Sequence, residues 1–157
     1  MADNNVVLPT PDPQAVLGAA KLFVKEVESK PSGAVTLTTT DYLTYATDVG
    51  EVGADREDKE YDFFHLDSTV KTPGKATIKD LQITEALQST TLATRKGQFD
   101  NKKFVVAIFF DEQNNLQYGC YGYIKSWGGT FSNKDNCVVQ YTLSVSDDNI
   151  TATYPVA

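Results

Sequence analysis

CVVQYTLSVS, residues 137–146, alternates almost without fault: Cys137, Val139, Tyr141, Leu143 and Val145 point one way, and Gln140, Thr142, Ser144 and Ser146 point the other. A period of two is that of a half-buried strand, so the apolar row faces a core. The second row is unusual for a solvent face. It holds hydroxyls and one amide with no Lys, Arg, Asp or Glu.

Working outward, LQYGCYGYIKSW (116–127) reads as the partner strand of a hairpin around Gly128-Gly129. KFVVAIFFD (103–111) is apolar on both faces, so it reads as a central strand covered on both sides, with a helix on one of them. KLFVKEVE (21–28), AVTLTTT (34–40) and the aromatic and β-branched run Tyr42 to Val49 read as further strands. GEVGADREDKE (50–60) puts two glycines and seven charges of both signs into eleven positions, which predicts a long exposed loop or strand extension. YDFFHLDSTV (61–70) resumes a strand with a phase change, Lys71 to Lys75 reads as a turn by its Pro-Gly pair, and ATIKDLQIT (76–84) follows as a strand. The one helix is expected over Thr84 to Gly97. Thr84 serves as cap, Glu85 suits the first turn, Arg95 and Lys96 suit the last, and Gly97 suits the residue after it. The sum is mainly β: a barrel or sandwich of about eight strands with one flanking α-helix.

The chain has 157 residues, 41% apolar and 11% aromatic, enough for one well-filled core. Pro9, Pro11 and Pro13 make residues 1–18 an N-terminal arm, leaving 19–157 as one β domain. A net charge of −7 disfavours nucleic-acid binding through basic patches. With no apolar leader and no stretch of membrane-span length, a soluble protein made in the cytoplasm, without a membrane partner, is expected.

The residues offer little chemistry. The lone His65 lies in an aromatic strand and reads as a partly buried packing residue. With two separated cysteines there is no zinc set, and neither cofactor nor metal is expected. If the last hairpin turns near Phe131, Cys120 opposes Thr142 and Cys137 opposes Lys125, so the thiols lie on opposite faces as buried, reduced groups. Asp111-Glu112 and Asp147-Asp148 fall where hairpin turns want acids and lack the spacing of a calcium loop. Tyr121, Tyr123 and Trp127 share one parity and Tyr118 the other, which splits a carbohydrate-stacking platform between surface and core. The charged segment holding Asp55, Arg56, Glu57, Asp58, Lys59 and Glu60 suits a solvated hairpin tip, and equally suits complementary docking to another copy.

The order of parts, with TDVGEVG running into a charged loop, TVKTPGKATI, one short helix, a buried strand, then LQYGCYGYIKSW and VVQYTLSVS, resembles the phage major tail tube proteins of long-tailed phages. Val49 to Val52 is similar to the step into their long inter-ring loop, Lys71 to Lys75 to the turn after it, Gly119 and Gly122 to the strand before the last hairpin, and Thr142 to Ser146 to the closing strand. Where many members follow that strand with glycine, Ser146-Asp147-Asp148 stands here. The resemblance implies a non-enzymatic structural protein that forms hexameric rings stacked into a hollow tube. Its partners would be further copies of itself and other tail proteins (tape measure, terminator, distal tail), in a virion tail assembled in the host cytoplasm. Viral DNA would pass through the lumen without specific binding. On this basis residues 50–60, with the N-terminal arm, bridge rings, and Gln140, Thr142, Ser144 and Ser146 face the lumen. The alternatives are a tail terminator or contractile-tail inner tube protein, and a monomeric carbohydrate- or surface-binding β-sandwich.

Overall fold

Strand β7 (Phe104–Asp111) is covered on both faces, as its two-sided apolar sequence requires. In the computed structural model, which describes residues 20–111, 116–135 and 137–153, it lies between β1 (Lys21–Val27) and β8 (Leu116–Thr130), antiparallel to both. The sheet continues through β9 (Val138–Asp147), β6 (Leu81–Ala86) and β3 (Ala46–Val49), all antiparallel, in the order β1-β7-β8-β9-β6-β3. Leu22 and Val24 of β1 share one core cluster with Leu81 and Ile83 of β6, although three strands separate them. That contact requires the sheet to curl toward this face, and the result is a half-barrel. The segment before β3 reaches back across the opening, where the Leu43 amide donates to the Leu22 carbonyl at 2.9 Å.

The alternation of 137–146 appears as read. Val139, Tyr141 and Leu143 are fully buried, and Tyr141 and Leu143 belong to the concave cluster with Val105 and Ala107 of β7. The opposite side of β7, Val106 and Ile108, packs with Phe23, Val35, Leu37, Tyr121 and Ile150 in a second cluster. The short parallel pair β2 (Val35–Thr36) and β10 (Ala152–Thr153) covers that side. Each large side chain fully buried in these clusters contributes roughly 1.5–3 kcal/mol.

The helix α1 (Ser89–Asp100) starts later than the sequence suggests. Thr84, Glu85 and Ala86 remain in β6 because they pair with Gln140, Val139 and Val138, so tertiary pairing overrides the local capping signal. The cap position is Gln88, and Gly97 lies inside the helix. α1 has no apolar stripe; its buried residues are Arg95 and Gln98. Arg95 Nε donates to Glu85 Oε2 at 3.0 Å, Arg95 Nη1 donates to Gln98 Oε1 at 3.0 Å, and the guanidinium sits 5.0 Å from the Tyr141 ring centroid. A buried ion pair and a cation–π contact therefore seat the helix on the concave face. Glu85, read as a first-turn helix residue, instead continues the buried row Leu81, Ile83 of β6, where it meets a partner ten residues away.

Four other expectations are corrected. Tyr42 to Val49 is a strand only from Ala46, preceded by a short 3-10 turn, Thr39–Asp41. The segment 76–84 is divided between two sheets, because the third ribbon, β4 (Ala54–Tyr61) with β5 (Val70–Ile78), stands apart from the half-barrel. Gly128-Gly129 lies within β8, and the turn follows Thr130. The cysteines do not oppose the residues named for them: Thr142 pairs with Ser126, and Cys137 lies before β9. Both thiols are free. Cys120 is buried, which pushes its thiol up to about 11, and Cys137 is half-buried. The Asp111–Asn115 hairpin loop falls largely, and residues 1–18 wholly, outside the described residues.

Bulges set which way side chains face. Lys125 is unmatched between Ile124↔Leu143 and Ser126↔Thr142, so Trp127 joins the concave cluster while Tyr121 packs on the other side. Ser146 is unmatched between Val145 and Asp147. A Cβ on Gly122 beside this second bulge would come 2.0 Å from the Ser144 carbonyl oxygen, so only glycine fits.

Candidate assembly surfaces

The charged segment is an antiparallel arm. Every residue of β4 is exposed, and Asp55, Arg56, Asp58, Lys59 and Glu60 pair with Thr77, Ala76, Pro73, Thr72 and Lys71 of β5. Between Arg56↔Ala76 and Asp58↔Pro73 the single residue Glu57 faces two residues of β5, Gly74 and Lys75, so β5 carries a bulge there. The Pro73-Gly74 pair, read as a turn, lies inside β5 at that bulge, where the missing amide of proline does no harm. A Cβ on Gly74 would meet the Glu57 carbonyl oxygen at 2.5 Å, and Arg56 Nη1 donates to the Gly74 carbonyl at 2.6 Å. Lys79 anchors the base: its amide donates to the Gly53 carbonyl at 2.8 Å, and its ammonium donates to Glu51 Oε1 at 3.2 Å. That hydrogen bond, with the Asp55 and Glu51 charges, holds the Lys79 pKa above its ordinary value.

The tip replaces the strand expected over 61–70. Leu66 N donates to the Phe63 carbonyl at 3.1 Å, and Thr69 Oγ1 donates to Asp62 Oδ1 at 2.7 Å. Tyr61 and Phe63 stack at 6.3 Å, Phe63 meets His65 at 6.0 Å, and Phe64 is fully exposed. His65 is thus exposed at the tip, not a packing residue within a strand.

The polar row lies on the convex face of β9. Gln140 and Ser146 are exposed, whereas Thr142 and Ser144 are half-buried. Ser146 Oγ donates to the Tyr121 carbonyl at 3.3 Å. Register carries the row's neutrality onto both neighbours: Gln82 and Thr84 of β6 pair with Thr142 and Gln140, and Ser126, Gly128 and Tyr123 of β8 pair with Thr142, Gln140 and Ser144. An uncharged field thus spans β6, β9 and β8. Asp48 and the Lys125–Asp80 ion pair lie at its margins.

The two acids after β9 are engaged in the fold. Lys30 pairs with Asp147, and this hydrogen bond, with that from the Asn149 amide at 2.8 Å, holds the Asp147 carboxyl below the usual carboxylate range. Asp148 Oδ2 accepts from the Tyr118 hydroxyl at 3.2 Å. Among the described residues no group of three or more His, Cys, Asp or Glu is placed to hold a metal. Of the four aromatic residues considered as a platform, Tyr121 is buried and Trp127 packs against the concave core.

No family model matches the sequence, and no curated protein does. Solved structures do. The chain is similar to one in the six-fold symmetrised baseplate of the anti-feeding prophage, with TM-score 0.60 and 7% identity over 94% of this chain and 98% of that one. It is also similar to the tube-terminating cap of the anti-feeding prophage, with TM-score 0.58 and 14% identity over 98% and 100%. Against the SPP1 tail tube the TM-score is 0.55, with 11% identity over 87% and 78%. At these identities the likeness is one of fold, and that fold, a curled β-sheet with one flanking helix, is the fold of phage tail tube proteins.

Proposed function

We propose that the chain is a structural protein of a virion tail whose copies form rings, six to a ring, that stack into a hollow tube. The observation that carries this reading is the β4–β5 arm, a ribbon exposed along all of β4 and ending in exposed aromatic side chains. A two-stranded ribbon alone is marginal in water, so its conformation is best explained by a surface on another copy. The fold shared with the SPP1 tail tube supports the same role.

The neutral field on β6, β9 and β8 supplies the second half of the mechanism. A bore lined by Gln140, Thr142, Ser144 and Ser146 presents hydroxyls and amides that water hydrates, with no cations to bind phosphate at each step. The net charge of −7 per chain, multiplied around a ring, further discourages adhesion of DNA. The role is mechanical and electrostatic rather than catalytic. Tape measure, terminator and distal tail proteins are the expected neighbours.

Electron microscopy of the purified protein tests the reading. Tubes or stacked rings are expected, and replacing residues 55–77 with a short Gly-Ser turn should leave a folded chain that forms none. Normal tubes from that variant would overturn the role of the arm. Tubes of Thr142→Lys and Ser144→Lys variants should assemble and retard DNA passage; unchanged delivery would remove these residues from the lumen. A terminator is the second reading, favoured by coverage of 98% of this chain and 100% of the anti-feeding prophage cap. It predicts single rings that do not stack.

A further inference from the structure

The isolated chain leaves two aromatic patches open to solvent, and they carry opposite charge. The first is the arm tip, where Phe63 and the fully exposed Phe64 stand beside Asp62 and Asp67. Among the described residues, neither acid has a cationic partner within ion-pair distance. The second is a groove of about 650 Å³ lined by Phe99, Phe104, Tyr123 and Ile124 and rimmed by Lys102 and Lys125. Its floor is built of contacting rings: Phe104 stacks on the buried Tyr121 at 5.3 Å and meets Tyr123 edge-on at 5.9 Å. Lys125 is shared with Asp80, but Lys102 and its neighbour Lys103 have no carboxylate partner among the described residues. Lys102 also holds φ of 54°, a left-handed conformation more usual for Gly or Asn, at the turn that presents it beside the groove.

We propose that the arm tip of one copy docks in this groove of another copy, with Phe63 and Phe64 filling it and Asp62 and Asp67 facing Lys102 and Lys103. The proposal rests on the reading of the chain as self-assembling and names the contact that joins the copies. Charge complementarity selects this groove over the aromatic hollow at Phe23 and Tyr42, which Lys21 alone supplies with a cation. Topology argues for a second copy. The arm leaves the sheet between β3 and β6, whereas the groove lies at β7 and β8, beyond β9. Tip and groove are different surfaces of one chain, so the contact is head-to-tail, and it repeats from copy to copy either around a ring or along the stack of rings.

The test uses the full-length chain. Lys102→Glu and Asp62→Lys should each lower tube yield about tenfold or more, and the double variant should restore it. A photo-crosslinking residue placed at the fully exposed Phe64, where it cannot disturb the core, should join to residues 99–104 or 123–125 of another copy. Tubes from the unaltered chain with crosslinks mapping elsewhere, or with single variants that assemble normally, would overturn this docking and leave the tube reading standing. Single variants that block assembly without rescue in the double would overturn the pairing. An unaltered chain that stays monomeric at every concentration would remove the tube reading itself.

Discussion

Strands β7 and β4 are each eight residues long and antiparallel to their neighbours, and they are held extended for opposite reasons. In β7, Val105, Val106, Ala107 and Ile108 are all fully buried, so each side chain on either face adds burial energy within one copy. In β4 every position is exposed, and what holds it is backbone pairing, the Arg56 contact to Gly74 and a few surface ion pairs of small individual worth. A single chain thus contains a region that explains itself and another that explains itself only when a second surface is supplied. That contrast places the stability of the monomer in the half-barrel and leaves the arm free for the assembly role proposed for it.

The largest effect is expected where the core depends on a charge. Arg95→Met strands the buried Glu85 carboxylate and should destabilise the chain by about 3–5 kcal/mol in denaturant unfolding, with most of the loss recovered when Glu85→Leu is added. If the single variant is mild, α1 is not seated by this pair. Ile108→Ala should cost about 2–5 kcal/mol by the same measurement, because the side chain is fully buried in the convex cluster and its removal leaves a cavity.

A smaller effect links pH to the clamp at the end of β9. Asp147 has its folded pKa depressed, chiefly by the Lys30 hydrogen bond, so the stability it contributes is present above the unfolded carboxylate value and is lost as pH falls through the folded one. Unfolding followed from about pH 7 to about pH 3 should show a decline that Lys30→Ala flattens. An identical decline in the variant would remove Lys30 as its source. The smallest change is expected on the arm. Lys59→Ser should alter monomer stability by no more than about 0.5 kcal/mol, and a loss of core-like size would erase the contrast between β4 and β7.

Much of the half-barrel is legible because its residues record burial directly. The two-sided apolarity of 103–111 and the alternation of 137–146 each predict the observed exposure, and no distant partner is needed to read them. The errors cluster where local signals compete with pairing. Thr84-Glu85 carries a good helix start, but hydrogen bonds to β9 keep it extended. Pro73-Gly74 carries a good turn signal, but pairing with β4 keeps it in the strand as a bulge, with Gly74 and Lys75 facing the single residue Glu57. Of the candidate site residues, the exposure of Asp55 to Glu60 was readable from charge density, and the shared face of Gln140, Thr142 and Ser144 from period two. The aromatic tip beyond Glu60 was misread as strand, since exposed and buried aromatic residues look alike in sequence.

By itself the sequence determined the strand-rich class, the central place of β7 and the dry and wet faces of β9, because side-chain polarity and a period of two act locally. Only the tertiary structure decided that the charged segment is a paired arm, that Arg95 reaches Glu85, and that neutral residues of β6, β9 and β8 form one field. Those outcomes depend on register and bulges between strands distant in sequence, where one unmatched residue reverses which face every later side chain presents.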